Sequence, residues 1–208
     1  MSLPKGFISG SVAAGLKSSG ALDLTIIQNQ GPQYFGTAVY TTNKVVAAPV
    51  IWSRQVTKGE VVSAVILNSG GANACTGPQG FADTHKSAEL VGEKLNISPS
   101  EVVVCSTGLI GELLPMNKIE AGISAIALSE SGFENSAKAI MTTDSVPKMA
   151  TLEFKGAQFA GIAKGAGMLA PALATMLSVV MTDAIVDPKE ASAAFARAVE
   201  LTYNRIDS

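Results

Sequence analysis

The stretch "VVSAVILNS", residues 61–69, decides the fold. It is an almost unbroken apolar run rich in β-branched residues, which is typical of a strand buried on both faces. The stretch "EVVVCSTG", residues 101–108, has the same character and predicts a second strand of this kind. A strand buried on both faces needs a covering layer on each side of its sheet. The sequence therefore predicts two stacked sheets with helices outside them.

The segments around these two strands predict a mixture of further strands and helices. Strand patterns at 22–29 and 34–42 flank Gly31 and Pro32 and predict a hairpin, and 150–163 predicts another that turns at Lys155 and Gly156. The run 175–182 predicts one more buried strand. Helical periodicity or capping signals occur at 81–95, 116–127, 132–144 and from Asp187 onward. With no linker visible, we expect one compact α/β unit of the α+β type over 1–208.

Composition excludes several classes of protein. The chain has 208 residues, 47% of them hydrophobic and 15% charged, with a net charge of −2, which argues against a nucleic-acid binder. One histidine and two cysteines without metal-ligand spacing argue against a zinc site. The N-terminus lacks the apolar region of a signal peptide. These features fit a protein of the reducing cytoplasm, so we expect a cytoplasmic location.

A membrane span is the alternative interpretation of the uncharged stretch from Gly165 to Thr182. Its length is sufficient, since a span needs about 20 apolar residues. Gly167 and Pro171 interrupt it, however, and Asp183 closes it. We therefore expect a glycine-containing loop that leads into a buried strand, and no association with a membrane.

Three loops of small residues follow apolar strands. They are "NSGGANACTGPQG" at 68–80, "STGLIG" at 106–111 and "AKGAGMLAP" at 163–171. Backbone amides exposed by such turns can bind anions, although any one loop fits a simple tight turn equally well. Three loops of this kind in one chain predict a functional site.

Few side chains in the sequence qualify as nucleophiles. His85 belongs to an amphipathic helix and is expected to be exposed, while Cys105 ends a buried strand and is expected in the core. Thr175 follows "LAPALA" and fits an ordinary strand residue. It also fits self-cleavage, in which its hydroxyl attacks the carbonyl of Ala174 and leaves Thr175 as a new N-terminus. Lys164 lies in the same loop and could steady a developing charge.

The block "KGAGMLAPALATML", residues 164–177, resembles the self-cleavage segment of the ornithine acetyltransferase (glutamate N-acetyltransferase) family. Four further blocks resemble the same family in the same order, and together the blocks extend over most of the chain. They are "TTNKVVAAPVIWSR" at 41–54, "NSGGANACTGPQGFADTH" at 68–85, "CSTGLIGELLPM" at 105–116 and "AIMTTDSVPK" at 139–148.

The resemblance implies an αββα sandwich of stacked mixed sheets with an active site of the N-terminal-nucleophile type. It implies cleavage between Ala174 and Thr175, giving an α chain of residues 1–174 and a β chain that begins at Thr175. The family pattern continues beyond Ser208, so the resemblance implies that only the start of the β chain, 175–208, is present. An inactive fragment that needs the rest of the β chain is therefore an alternative.

The resemblance also implies a reaction. Thr175 takes the acetyl group of N2-acetylornithine and passes it to glutamate in a ping-pong mechanism, and some members also use acetyl-CoA. Thr107 and Gly108 form the oxyanion hole, and Lys164 contacts substrate together with Thr142 or Thr143. The family uses no metal or prosthetic cofactor, and its expected assembly contains two α and two β chains. A self-processing aminopeptidase or amidase with a threonine nucleophile is the other enzyme class considered.

Overall fold

The computed structural model describes residues 2–166 and 176–206 as a mixture of strands and helices. Five helices, seven strands and two short 3₁₀ turns make up this part of the chain. In chain order they are β1 Phe7–Val12, β2 Leu24–Asn29, α1 Ala48–Lys58, β3 Ala64–Gly71, α2 Gly77–Leu95, a 3₁₀ turn Pro99–Glu101, β4 Val102–Leu109, α3 Met116–Ala125, α4 Phe133–Ala139, β5 Lys148–Phe154, β6 Ala157–Lys164, β7 Leu177–Thr182, α5 Pro188–Leu201 and a 3₁₀ turn Tyr203–Arg205.

The first sheet has the strand order β1-β2-β3-β4. The pairs β1–β2 and β2–β3 are antiparallel, whereas β3 and β4 run parallel, with Ala64 opposite Val102 and Gly70 opposite Gly108. The parallel pair, β3 and β4, consists of the two strands that the apolar runs predict. Because β3 and β4 are parallel, their carboxyl ends and the loops that follow them lie at the same edge of the sheet.

Alternate side chains of the first sheet point into two different cores, as the twofold period of a strand requires. One core is filled from the sheet by residues such as Ile66 and Val104 and from the helices by Val91 and Ile119. Helix α1 adds hydrogen bonds to β4, since Trp52 Nε1 donates to the Val102 carbonyl over 2.9 Å. Helices α1, α2 and α3 therefore cover this face.

The opposite face of the first sheet packs on a second, antiparallel sheet of order β5-β6-β7. Leu67 of the first sheet and Ile162 and Met181 of the second share this core with Phe133 of α4. The expectation of stacked sheets with helices is thus confirmed. So is the predicted β5–β6 hairpin, whose turn residues Lys155 and Gly156 have positive φ angles of 51° and 79°.

The outer face of the second sheet is left open by the described residues. Leu152 and Phe154 of β5 are 61% and 56% exposed, and Val180 of β7 is 49% exposed. In the part of the chain that the structure describes, the layers are therefore helices, first sheet and second sheet. Helix α5 begins as predicted, with the Asp187 carboxylate accepting from the amides of Lys189 and Glu190 at 3.0 Å each.

The predicted hairpin between 22–29 and 34–42 is wrong. Strand β2 pairs with β1 and β3, and the segment 34–42 contributes only an isolated bridge between Phe35 and Val61. The side chain of Asn29 explains why the chain leaves the sheet. Its Oδ1 accepts from the Gly31 amide over 2.9 Å and its Nδ2 donates to the Gln33 carbonyl over 3.0 Å, which folds the backbone away from β2.

Two helices also differ from the sequence expectation. Helix α2 begins at Gly77, four residues before the predicted start at 81, because Pro78 in its first turn suits a helix N-terminus. Helix α1 is not predicted from the sequence; its side chains are placed by hydrogen bonds of Trp52 and Ser53 to carbonyls of β4. Among the described residues, no helix combines the length and apolar character needed to cross a membrane.

Candidate active site

The site lies where the carboxyl end of β4 meets the end of β6. Lys164, the last residue of β6, donates from Nζ to the Thr107 hydroxyl of β4 over 3.2 Å. Both side chains are buried, at 6% and 3% exposure. This hydrogen bond connects the two sheets and brings together two of the three small-residue loops. The third, at 68–80, begins on β3, directly beside the end of β4.

Gly108 occupies a place that only glycine fits. Its φ is +133°, a conformation that side chains rarely adopt. A Cβ atom at this position would lie 2.5 Å from the Gly70 carbonyl carbon and 2.6 Å from the Gly71 nitrogen. The backbones of β3 and β4 can therefore touch at this edge, directly next to Thr107.

Lys164 is an ammonium held largely out of water. Burial lowers its pKa, the negative charge of Asp144 opposes that change, and the positive charge of Lys148 adds to it. Its hydrogen bond to a neutral hydroxyl leaves further N–H donors on the ammonium. Such a cation can pair with a substrate carboxylate or stabilise negative charge that develops on a carbonyl oxygen.

Asp144 holds the loop on the other side of Lys164. Its carboxylate accepts from the Gly165 amide over 2.8 Å and from the Thr142 amide over 3.2 Å, and it forms an ion pair with Lys148. Burial alone would raise its pKa, but the hydrogen bonds from Lys148, Gly165 and Thr142 prevail and lower the pKa to about 2. Asp144 is therefore ionised and fixes the "MTTD" loop against the residue that follows Lys164.

Sequence patterns do not assign a role to Asp144. The available signal is its position, two residues after Thr142 and four before Lys148, in a polar loop. Its link to Gly165 spans 21 residues and depends on how the loop meets β6, which a local pattern does not encode.

Thr142 and Thr143, the two candidates for substrate contact, lie together in this loop and both are exposed. Thr142 also lines a cavity of about 340 Å³ with Lys17, Ser19 and Met141. The sequence does not distinguish the two threonines, but the structure does: Thr142 lines this cavity and Thr143 does not.

The cleavage residues Ala174 and Thr175 lie outside the described residues, which exclude 167–175. The described chain resumes at Met176, and β7 begins at Leu177. Leu177 is paired with Lys164 across the β6–β7 ladder. Thr175 thus precedes by two positions the residue that pairs with Lys164.

The other side chains singled out in the sequence do not contact this site. His85 is exposed as predicted, with its ring stacked on Trp52 at 4.9 Å between centroids and 3.7 Å from the Glu89 carboxylate. Cys105 packs against the core between the sheets, where burial raises the pKa of its thiol to about 12. A thiol with this pKa is a poor nucleophile at neutral pH. The described residues bring together no three His, Cys, Asp or Glu side chains that could hold a metal ion.

The two stacked sheets and their helices give the protein a fold of the N-terminal-nucleophile hydrolase type. The sequence profile of the ArgJ family matches residues 9–208. This chain therefore belongs to the ArgJ family.

Curated relatives agree with this assignment. The arginine biosynthesis bifunctional protein ArgJ of Streptomyces avermitilis is 53% identical over 206 residues, which cover 98% of this chain and 54% of that protein. The protein of the same name from Thermobifida fusca is 50% identical over 208 residues, or 99% of this chain and 54% of its own length. The chain thus spans about half the length of these relatives.

Solved structures are similar as well. An ornithine acetyltransferase from Mycobacterium tuberculosis, crystallised with ornithine, matches with a TM-score of 0.71 and 45% identity, covering 84% of this chain and 94% of that one. The arginine biosynthesis bifunctional protein ArgJ from Bacillus halodurans matches with a TM-score of 0.75 and 34% identity, covering 85% and 97%.

Proposed function

We propose that this chain is part of a glutamate N-acetyltransferase, also an ornithine acetyltransferase, of arginine biosynthesis. The observation that carries the proposal is the buried contact between Lys164 and Thr107 in a chain of the ArgJ family. Acyl transfer passes through a tetrahedral oxyanion, and a desolvated cation beside a rigid strand end suits that charge.

The first proposed step is self-cleavage between Ala174 and Thr175. The Thr175 hydroxyl attacks the Ala174 carbonyl carbon, and the peptide bond is replaced by an ester as the amide nitrogen leaves. Water then hydrolyses the ester, giving a carboxylate at Ala174 and a free α-amine at Thr175. That α-amine, with a pKa of about 8 typical for an N-terminus, serves as base for its own hydroxyl. The products are an α chain, 1–174, and a β chain from 175.

The second step is acetyl transfer. The Thr175 oxygen attacks the acetyl carbonyl of N2-acetylornithine, the C–N bond breaks, and ornithine leaves with the proton that the Thr175 hydroxyl gave up. The α-amine of glutamate then attacks the acetyl ester, which yields N-acetylglutamate and restores Thr175. Acetyl-CoA is a second proposed donor, since its thioester carries the same group.

Thr107 and Gly108 are the proposed oxyanion hole for both steps. The support is their position at the end of a rigid parallel strand pair, beside Lys164. Lys164 and the Thr142–Thr143 loop are proposed to contact the substrate. Removing a single oxyanion donor typically slows acyl transfer by about 10²–10³.

The proposed assembly contains two α and two β chains. The proposed location is the cytoplasm, a reducing compartment that suits two free cysteines such as Cys75 and Cys105.

Mass spectrometry after incubation with N2-acetylornithine, without glutamate, tests the proposal. We expect a β chain that begins at Thr175 and carries an added mass of about 42, that of an acetyl group on the nucleophile. Later addition of glutamate should remove this mass, whereas removal by water alone at the same rate would indicate an amidase.

A pair of threonine variants provides the control. Thr175→Ala should abolish both cleavage and acetylation. Thr182→Ala, at the end of β7, should retain both. An intact mass that stays uncut in the unchanged protein, or an acetyl group on a different residue, would refute the proposal.

A further inference from the structure

The cavity beside Thr142 contains a lysine to which the proposed mechanism gives no role. This cavity, of about 340 Å³, lies between the loop that follows β1 and the end of α4. Lys17 enters it from the β1–β2 loop, and Lys138 from α4. Lys138 already has an ion pair with Glu134, over 2.6 Å on an exposed helix face. Lys17 is therefore the lysine of this cavity that has no ion-pair partner among the described residues.

The loop that presents Lys17 is rigidly built. The carboxylate of Asp23, itself fully buried, accepts from the backbone amides of Ala14, Leu16 and Lys17 at 2.7, 2.6 and 3.0 Å. Three charge-assisted hydrogen bonds of this kind fix a backbone firmly. The backbone of Lys17 is thus held in one place.

The same loop is tied to the edge of the first sheet that carries the site. The Ser69 amide donates to the Asp23 carbonyl over 2.8 Å, and a Cβ on Gly70 would lie 2.7 Å from the Leu16 carbonyl oxygen. Gly70 is in turn the direct neighbour of Gly108 across the parallel pair. The loop therefore lies over the end of β3, next to the proposed oxyanion hole.

The ammonium of Lys17 is only partly satisfied by the described residues. It donates to the Leu22 carbonyl over 2.8 Å, and it forms no ion pair with a carboxylate anywhere in 2–166 and 176–206. Partial burial lowers its pKa, the charges of Asp23 and Asp144 oppose that effect, and the charge of Lys164 adds to it. A half-buried cation without a carboxylate partner, lining a cavity, is suited to bind an anion from outside.

Glutamate differs from ornithine at the end of its side chain, which carries a carboxylate where ornithine carries an amine. Three lysines lie near the site. Lys148 forms an ion pair with Asp144, whereas Lys164 and Lys17 form no ion pair with a carboxylate among the described residues. Glutamate has two carboxylates to offer them. A second cation beyond Lys164 would attract the distal carboxylate of glutamate.

We propose that Lys17 binds the side-chain carboxylate of the acceptor amino acid in the cavity beside Thr142, and so selects glutamate. This inference rests on the proposed function for the identity of the acceptor. Lys17 is then a specificity-determining residue, separate from the groups that act on the acetyl carbonyl.

Binding of L-glutamate and L-glutamine, measured by calorimetry, tests the proposal directly. The two ligands have the same α-carboxylate and differ in the group that Lys17 is proposed to bind. We expect the unchanged protein to bind glutamate about tenfold or more tightly than glutamine, as one charge-assisted contact provides. Lys17→Gln should remove most of this preference while its amide can still donate to the Leu22 carbonyl. Lys17→Arg should keep it.

Lys118→Gln is the matched control. Lys118 donates to the Gly15 carbonyl of the same loop over 2.7 Å but does not line the cavity, so its loss removes one charge without touching the proposed subsite. This variant should keep the preference for glutamate. Thermal unfolding of each variant shows whether the loop has stayed folded. In turnover, Lys17→Gln should raise the KM for glutamate with little change in the KM for N2-acetylornithine.

Three results would overturn the inference. They are equal binding of glutamate and glutamine by the unchanged protein, a preference that survives Lys17→Gln in a folded variant, and Lys17-dependent binding of coenzyme A with none for glutamate. The acetyl mass on Thr175 reports separately on the proposed function. If Thr175 is acetylated but the preference for glutamate over glutamine does not depend on Lys17, only this inference is refuted. If that preference depends on Lys17 but Thr175 is not acetylated, only the proposed reaction is refuted.

Discussion

The two sheets of this protein differ in how they are covered, and their roles differ accordingly. The first sheet is covered on both faces, by helices α1–α3 and by the second sheet, and Leu67 at its centre is fully buried. The second sheet is covered on one face by the described residues, and Leu152 on its other face is 61% exposed. The site lies where they meet, with Thr107 from the first and Lys164 from the second. The second sheet thus packs on the fully covered first sheet, and this packing brings Lys164 to Thr107.

The largest expected effect is on the core between the sheets. Leu67→Ala should lower the free energy of unfolding by about 2–5 kcal/mol, because the side chain is fully buried and its removal leaves a cavity. Urea unfolding followed by circular dichroism measures this change. A loss below about 1 kcal/mol would mean that the sheets are not tightly packed together.

Gly108→Ala should have the next largest effect, up to about 3 kcal/mol of stability, because a side chain at its positive φ is strained and would press on Gly70 and Gly71. Gly111→Ala is the matched control, since Gly111 also has a positive φ of 89° but no atom within 4 Å of its Cβ position. The difference between the two variants, measured by urea unfolding, isolates the contact between β3 and β4. Equal effects would contradict that close approach.

Acid should weaken the connection between the Thr142 loop and the second sheet. The folded-state pKa of Asp144, about 2, lies below its ordinary value, so the folded protein binds fewer protons than the unfolded chain between about pH 4 and pH 2. The stabilisation from Asp144 is therefore complete above about pH 4 and is lost as the pH falls toward 2. Screening by water around the half-exposed Lys148 limits the contribution of Asp144 to the free energy of unfolding to roughly 1–2 kcal/mol.

Stability measured against pH in the unchanged protein and in Asp144→Asn tests this dependence. The variant should be less stable at neutral pH and should lack the part of the acid sensitivity that belongs to Asp144. Parallel pH curves for the two proteins would show that Asp144 is not paired in solution.

The smallest expected effect is on the outer face of the second sheet. Leu152→Ala should change stability by no more than about 0.5 kcal/mol, since its side chain is mostly in water. Because this substitution is chemically the same as Leu67→Ala, the pair measures the difference between the two sheets. A loss comparable to that of Leu67→Ala would show that the outer face is covered in the assembled protein.

Local sequence signals predict the elements whose stability is local. Strands β3 and β4, each taken singly, follow from two apolar β-branched runs, the β5–β6 turn follows from Lys155 and Gly156, and α5 follows from the Asp187 cap. In each case a short segment contains the interaction that defines it. The family resemblance adds Thr107, Gly108 and Lys164, and the structure places Lys164 against Thr107.

Elements that depend on distant contacts could not be predicted in the same way. Strand β1, "FISGSV", contains small and polar residues, and it forms because it pairs with β2 and fits Gly10 against the Ala127 carbonyl, where a Cβ would lie at 2.1 Å. The hairpin expected between 22–29 and 34–42 does not form because β1 and β3 occupy both edges of β2, and the Asn29 turn directs the chain away from the sheet. A one-dimensional pattern records neither competition between strands nor close backbone approach.

The sequence by itself determined that the chain is a mixed α/β protein, with strands buried on both faces and small-residue loops after them, because hydrophobic period and turn chemistry are local properties. Tertiary structure decided which of these loops meet, since the contacts of Lys164 with Thr107 and of Gly165 with Asp144 join residues 57 and 21 positions apart. Only the stacking of the two sheets brings the Lys164 ammonium out of water and next to the Thr107 hydroxyl of β4.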